Sequence, residues 1–147
     1  SMTTVHLKKG GVDNSGCRRF YYTRPTGSNG GEAFCTFPAD WNLKGATYMK
    51  IWIKGDGTEQ RLTLRLNDSI SARGQKTNTK RREFEKWAVD INVAGNEWKQ
   101  YVFRIDDLGM SDTIMPETIK TLSIFNRIPD KSGSFSIDNL EFTNKMP

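Results

Sequence analysis

A period of two constrains this chain more than any other feature. In Tyr48-Met49-Lys50-Ile51-Trp52-Ile53-Lys54, the apolar Met49, Ile51 and Ile53 alternate with Lys50, Trp52 and Lys54. Strand side chains point alternately to opposite faces, so this spacing predicts a strand with a buried face and an outward face. Arg61 to Asn67 repeats the pattern, with Leu62, Leu64 and Leu66 inward and Thr63, Arg65 and Asn67 outward. No long segment carries the 3.6-residue spacing of a helix. The Gly55-Asp56-Gly57 turn between the two segments predicts an antiparallel hairpin, which would set Arg65 beside Trp52 on one outer face.

Six more segments follow the same rule: Cys17 to Thr23, Ala33 to Phe37, Phe84 to Val93, Trp98 to Ile105, Thr121 to Arg127 and Ser134 to Phe142. With about eight short strands separated by glycine-bearing turns, the expected class is all-β, a β-sandwich or barrel. In the last segment Phe135 and Ile137 share one parity while Leu140 and Phe142 take the other, which predicts a β-bulge near Asp138-Asn139. In the first pair, expected to be a hairpin, Phe20, Tyr22 and Phe34 are read as inward and Arg19, Tyr21 and Cys35 as outward, the parity of Ala33 to Phe37 being ambiguous. Trp87 and Trp98 are expected in the core, and Trp41 is expected to cap the sandwich from a turn.

The 147 residues suit one domain. Ser1 and Met2 read as a cloning remnant, which leaves 3–147 as a single module excised from a larger protein. No apolar run approaches the roughly 18 residues of a membrane span, so no membrane is expected among its partners. His6 is the sole histidine, which disfavours His-based triads and zinc sites. Cys17 and Cys35 are too few for a zinc knuckle, and they leave two alternatives, one disulfide or two reduced thiols. Asp106 and Asp107 are adjacent and diverge, so they do not form the flanking carboxylate pair of a glycosidase. A non-catalytic domain is expected.

The chain has 22 Lys+Arg against 17 Asp+Glu, a net charge of +5. A basic, acid-free stretch from Ser69 to Arg82 contributes Arg73, Lys76, Lys80, Arg81 and Arg82 and reads as a long loop or an edge hairpin. Nucleic acid is disfavoured as a partner, because the charge is modest and no helix-turn-helix, ribonucleoprotein or zinc motif accompanies it.

Several pieces in order resemble a known family: Trp41-Asn42-Leu43-Lys44-Gly45, Ile51-Trp52-Ile53-Lys54-Gly55-Asp56-Gly57, Glu97-Trp98-Lys99-Gln100-Tyr101, Phe103-Arg104-Ile105-Asp106-Asp107-Leu108, Ile119-Lys120-Thr121-Leu122 and Gly133-Ser134-Phe135-Ser136-Ile137-Asp138-Asn139-Leu140. From about Val5 to Phe142 the sequence looks like the jelly-roll, galactose-binding-like carbohydrate-binding modules of the β-glucan-binding group. The resemblance implies a sandwich of two antiparallel sheets and non-catalytic binding of a polysaccharide, plant or algal, β-glucan-like or acidic. It further implies a covalently linked catalytic domain and an extracellular or cell-surface location. The alternative is a protein-interaction domain of the same fold, resembling an assembly-factor domain. No cofactor is required, but a structural calcium is a feature of the family, and Asp138 matches its ligand position. Members open with an additional strand bearing acidic residues, and nothing before Val5 supplies one.

Sugar recognition needs rings against the CH-rich pyranose faces and planar polar groups for the hydroxyls. Trp52 is the expected platform, with Lys50, Arg65 and Asn67 around it and Phe125 as a second platform beside Arg127. Gln100 and Arg104 are outward if Tyr101, Phe103 and Ile105 fill the core, and Lys86 and Asp90 are outward if Val89 and Ile91 do. Tyr21 completes the set. The cations Lys50, Lys54, Arg65, Lys86 and Arg104 suit an anionic or partly uronic polysaccharide.

Overall fold

The computed structural model describes residues 2–23, 34–68, 87–108, 115–127 and 132–145. Within them lie nine strands: β1 (Met2–Leu7), β2 (Cys17–Tyr22), β3 (Phe34–Trp41), β4 (Tyr48–Lys54), β5 (Gln60–Asp68), β6 (Trp87–Val93), β7 (Trp98–Arg104), β8 (Ile119–Asn126) and β9 (Gly133–Thr143). Three single-turn 3-10 helices, Val12–Asn14, Ile105–Asp107 and Pro116–Thr118, punctuate them. Among the described residues no helix is long and apolar enough to cross a membrane. Lys86, the basic stretch Ser69 to Arg82, and the ends of two expected strands at Ala33 and Phe84 lie outside the described residues.

The strands form two antiparallel sheets, β1-β2-β9-β4-β7 and β3-β8-β5-β6. This is the expected jelly-roll sandwich, but its pairing differs from the sequence reading. β4 and β5 are not a hairpin: β4 pairs with β7 and β9, β5 with β6 and β8, and the Gly55-Asp56-Gly57 turn carries the chain from one sheet to the other. Nor are β2 and β3 a hairpin, because β2 pairs with β1 and β9 while β3 pairs with β8. Alternation fixes which side chains of a strand share a face; it carries no information about the neighbouring strand.

The packing between the sheets explains the crossing. Leu62, Leu64 and Leu66 of β5 and Met49, Ile51 and Ile53 of β4 are all buried in one core with Phe20, Ile91, Ile124 and Phe135. Facing each other from two sheets, both apolar rows are covered, and each fully buried side chain contributes about 1.5–3 kcal/mol. As hairpin neighbours in one sheet they would need a further layer. Phe20 stacks on Phe135 with centroids 4.8 Å apart and meets Phe37 edge-on at 5.8 Å. Gln60, fully buried, ties the sheets at one end: its amide nitrogen donates to the Tyr22 hydroxyl and to the Ser134 carbonyl, each at 2.8 Å.

β1 is absent from the sequence reading, and Met2, read as a remnant, is buried and stands opposite Tyr22 at the start of this strand. Its signal is weak because Thr3 and Thr4 break the apolar alternation. β1 is an edge strand of the five-stranded sheet, and Met2–Leu7 carries no acid. Trp41 lies in β3 rather than a turn, packed on Phe142 at 5.5 Å. Pro38 is tolerated within β3 because this is an edge strand and its register shifts between Pro38 and Trp41.

The bulge in β9 is where the parity slip places it. Lys50 faces Glu141 and Trp52 faces Asp138, so three steps of β9 span two of β4, and Asn139 absorbs the extra residue at φ 50. The two thiols are free. Cys17 shares parity with Arg19 and Tyr21 on the outer side of the five-stranded sheet, while Cys35 packs toward the core and its Sγ lies 3.8 Å from the Met2 carbonyl oxygen. Cys35 is thus inward and Phe34 outward, the reverse of the expected parity.

Candidate functional site

The expected site residues divide between two outer faces on opposite sides of the sandwich. Trp52, Lys50, Gln100, Arg104 and Tyr21 stand on the five-stranded sheet; Arg65, Asn67 and Phe125 belong to the four-stranded sheet, and Arg127 directly follows its strand β8. Trp52 and Arg65 cannot cooperate on one sugar. Separating β4 from β5 separated them.

On the five-stranded face, Trp52 is half-buried and faces Gln100 and Asp138 across its two neighbours. Lys50 reaches Glu141 at 3.5 Å, and the Arg104 guanidinium lies 5.9 Å from the Tyr48 ring centre. Tyr21 is exposed as expected. Trp98 is not in the core: it has the parity of Gln100, is half-buried on this outer face, and its indole N–H donates to the Gly10 carbonyl at 3.1 Å. The 8–16 segment thereby lies against this face.

Asp138 anchors that segment. One carboxylate oxygen accepts from the Val12 amide at 2.8 Å and the Ser15 hydroxyl at 2.9 Å, and the other accepts from the Asn139 amide at 2.8 Å. Gly11 approaches so closely that a Cβ there would stand 2.5 Å from the carboxylate and 2.7 Å from the Ser15 and Gly16 carbonyl oxygens. Calcium takes six to eight oxygen ligands, whereas Asp138 faces N–H and O–H donors. Among the described residues no three His, Cys, Asp or Glu side chains cluster to hold a metal. Asp138 is thus engaged by donors of the 8–16 segment and of its own strand. The Cys17 thiol, also beneath this segment, is pushed above its usual range by burial and then by the nearby Asp138 carboxylate.

The four-stranded face is built differently. Register aligns Phe34, Phe125, Thr63 and Asp90 in one row across the sheet, and Thr36, Ser123, Arg65 and Ala88 in the next. Phe125 is only 6% exposed, so it is no open platform. It is a post for two cations instead, with the Arg65 and Arg127 guanidinium carbons 4.4 and 5.0 Å from its ring centre. Phe34 stacks beside it at 5.4 Å and is itself 56% exposed. Phe34 is the open ring of this face, missed because the parity of its strand was ambiguous in sequence.

Hydrogen bonds order the row further. Arg127 Nε donates to the Thr63 hydroxyl at 2.8 Å, and that hydroxyl donates to Asp90. The Thr36 and Ser123 hydroxyls pair at 2.9 Å. Beyond them Asn67, 1% exposed, faces Thr121 across the ladder; among the described residues neither its amide oxygen nor its amide nitrogen has a hydrogen-bond partner, and the Thr121 hydroxyl has none either. Burying such groups without partners costs about 1–3 kcal/mol each, and native chains rarely carry it without a reason.

The fold class is thus a jelly-roll β-sandwich with two polar outer faces, and solved structures share it. A family 11 carbohydrate-binding module from Clostridium thermocellum, in complex with a β-1,3-1,4-mixed-linked tetrasaccharide, is 16% identical, with 97% of this chain and 82% of that one covered at a TM-score of 0.65. A family 30 module of a cellulosomal cellulase from the same organism is 12% identical, covering 96% of this chain and 82% of that one at 0.63. An exo-β-agarase matches over all of this chain but 23% of its own length, at 12% identity and a TM-score of 0.64. No protein-family model matches the sequence, and no curated protein matches it. At these identities the likeness shows the fold: the chain has the jelly-roll sandwich of carbohydrate-binding modules.

Proposed function

We propose that this domain is a non-catalytic glycan-binding module and that its binding surface is the outer face of the four-stranded sheet. The observation that carries the reading is the pair Asn67 and Thr121, whose buried side-chain polar atoms have no hydrogen-bond partner among the described residues. Sugar hydroxyls donate and accept at once, so they complete both ends of an amide and a lone hydroxyl. Phe34 supplies the exposed ring for a pyranose face. Arg127, half-buried and held against Phe125, presents a planar donor whose geometry is fixed before a ligand arrives, and the buried Arg65 braces the same ring. In this reading the module acts outside the cell and holds an attached enzyme to a polysaccharide, raising its effective concentration there.

Affinity gel electrophoresis tests it, with β-glucans, xyloglucan, xylan, mannan and acidic polysaccharides at low and moderate salt. The expected result is retardation by one glycan class, abolished by Phe34→Ala and by Asn67→Leu but retained by Trp52→Ala. Loss with Trp52→Ala alone would move the site to the five-stranded face, and no retardation by any glycan would overturn the reading. A salt-sensitive response would mark an acidic glycan, because screening weakens the arginine contacts.

A further inference from the structure

The two sheets do not close completely. Between β2 and β9 on one side and β3 and β8 on the other lies a cavity of about 230 Å³, lined by Phe20, Phe37, Trp41, Leu122 and Leu140 with Arg18 at its rim. Its walls are almost wholly apolar. The space opens to solvent, so its apolar walls are left against water until something apolar covers them. A cavity of about 150 Å³ lined by such side chains takes a benzene, so this one accommodates an apolar group of roughly eight to ten carbons.

Arg18 makes the space chemically asymmetric. It shares the parity of Phe20 and Tyr22, so it points between the sheets while its end is exposed. Its guanidinium carbon lies 5.7 Å from the Phe37 ring centre, and its sole hydrogen bond among the described residues is a long one, 3.4 Å, to the Thr4 hydroxyl. No carboxylate of the described residues pairs with it. A guanidinium at the mouth of an apolar cavity is complementary to one kind of small molecule, an anionic head on a short apolar tail.

We infer that this intersheet cavity is a second binding site, independent of the glycan face, for a small amphipathic carboxylate whose tail enters between the sheets and whose head meets Arg18. The tail displaces nothing polar, and the carboxylate gains a charge-assisted partner at the rim.

The test is a methyl NMR titration of the whole chain with sodium octanoate and, separately, with 1-octanol, both below the concentrations at which they aggregate. The expected result is saturable shifts confined to the methyls of Ile51, Leu122, Ile124, Ile137 and Leu140. Octanoate should bind about tenfold more tightly than octanol, as one charge-assisted contact allows. Arg18→Gln should bring the two affinities together, and Leu140→Trp, which fills the cavity, should abolish both. Absence of these shifts in the wild type, equal binding of alcohol and carboxylate, or shifts scattered over the surface would each overturn the inference. The wild-type titration is decisive even if Leu140→Trp does not fold, and its outcome is independent of any polysaccharide result.

Discussion

The Arg65 guanidinium stands 4.4 Å from the centre of the Phe125 ring, and both side chains are at least nine-tenths buried although they lie on the outer face of a sheet. A cation over a desolvated ring gains about 2 kcal/mol, and Arg127 uses the same ring. Phe125→Leu keeps most of the apolar volume and removes the quadrupole that holds both guanidiniums. The domain should stay folded, with a midpoint loss in urea corresponding to about 1–3 kcal/mol, while glycan retardation falls sharply. Unchanged retardation would mean that neither arginine is positioned through Phe125.

Asn67→Leu separates function from stability. The wild-type amide is buried with neither end bonded among the described residues, so an apolar side chain of similar size removes a desolvation cost. Calorimetry should show an unfolding free energy equal to or above that of the wild type, by up to about 1–3 kcal/mol, together with lost binding. A marked loss of stability would show that the amide makes contacts that matter to the fold.

Gln60→Leu has the opposite sign. It strands the Tyr22 hydroxyl and the Ser134 carbonyl where the sheets meet, and unfolding free energy measured in urea should fall by about 1–3 kcal/mol. Because burial holds the Tyr22 phenol above its usual range, with Gln60 opposing in part, the variant should also titrate this tyrosine at higher pH. Spectrophotometric titration reads that shift.

Asp56 makes stability acid-sensitive. Burial alone would raise its pKa, but the Thr58 hydroxyl and the amide groups of Ser134 and Thr58 donate to the carboxylate and together hold it below its usual value. A depressed folded-state pKa gives stability that is present above the unfolded value, about 3.9, and is lost as pH falls through the folded one. The difference in melting temperature between wild type and Asp56→Asn should therefore be constant near neutrality and shrink below about pH 4. A difference that grows toward low pH would reverse the assignment.

Gly11→Ala should loosen the 8–16 segment, because the new Cβ meets the Asp138 carboxylate and two backbone oxygens. Hydrogen exchange at the Val12 amide should accelerate. The Cys17 thiol, buried in the same place, should react faster with a disulfide reagent. Protection unchanged at both positions would show that the segment is not held through Asp138.

The sequence by itself determined what each strand can decide alone. Met49, Ile51 and Ile53 had to share one face and Leu62, Leu64 and Leu66 another, because successive side chains alternate, and the slip between Ile137 and Leu140 required a bulge beside Asp138. Tertiary structure decided which strands are neighbours. Gly55-Asp56-Gly57 has the chemistry of a hairpin turn, yet it crosses between sheets, because burying both apolar rows against each other outweighs a local turn preference. That choice sent Trp52 and Arg65 to opposite sides and joined Phe34 to Phe125, contacts that are 91 residues apart in the chain and leave no trace in local spacing. The fold class is a sum of local patterns, whereas the site is a product of pairing, and pairing is set by the whole core.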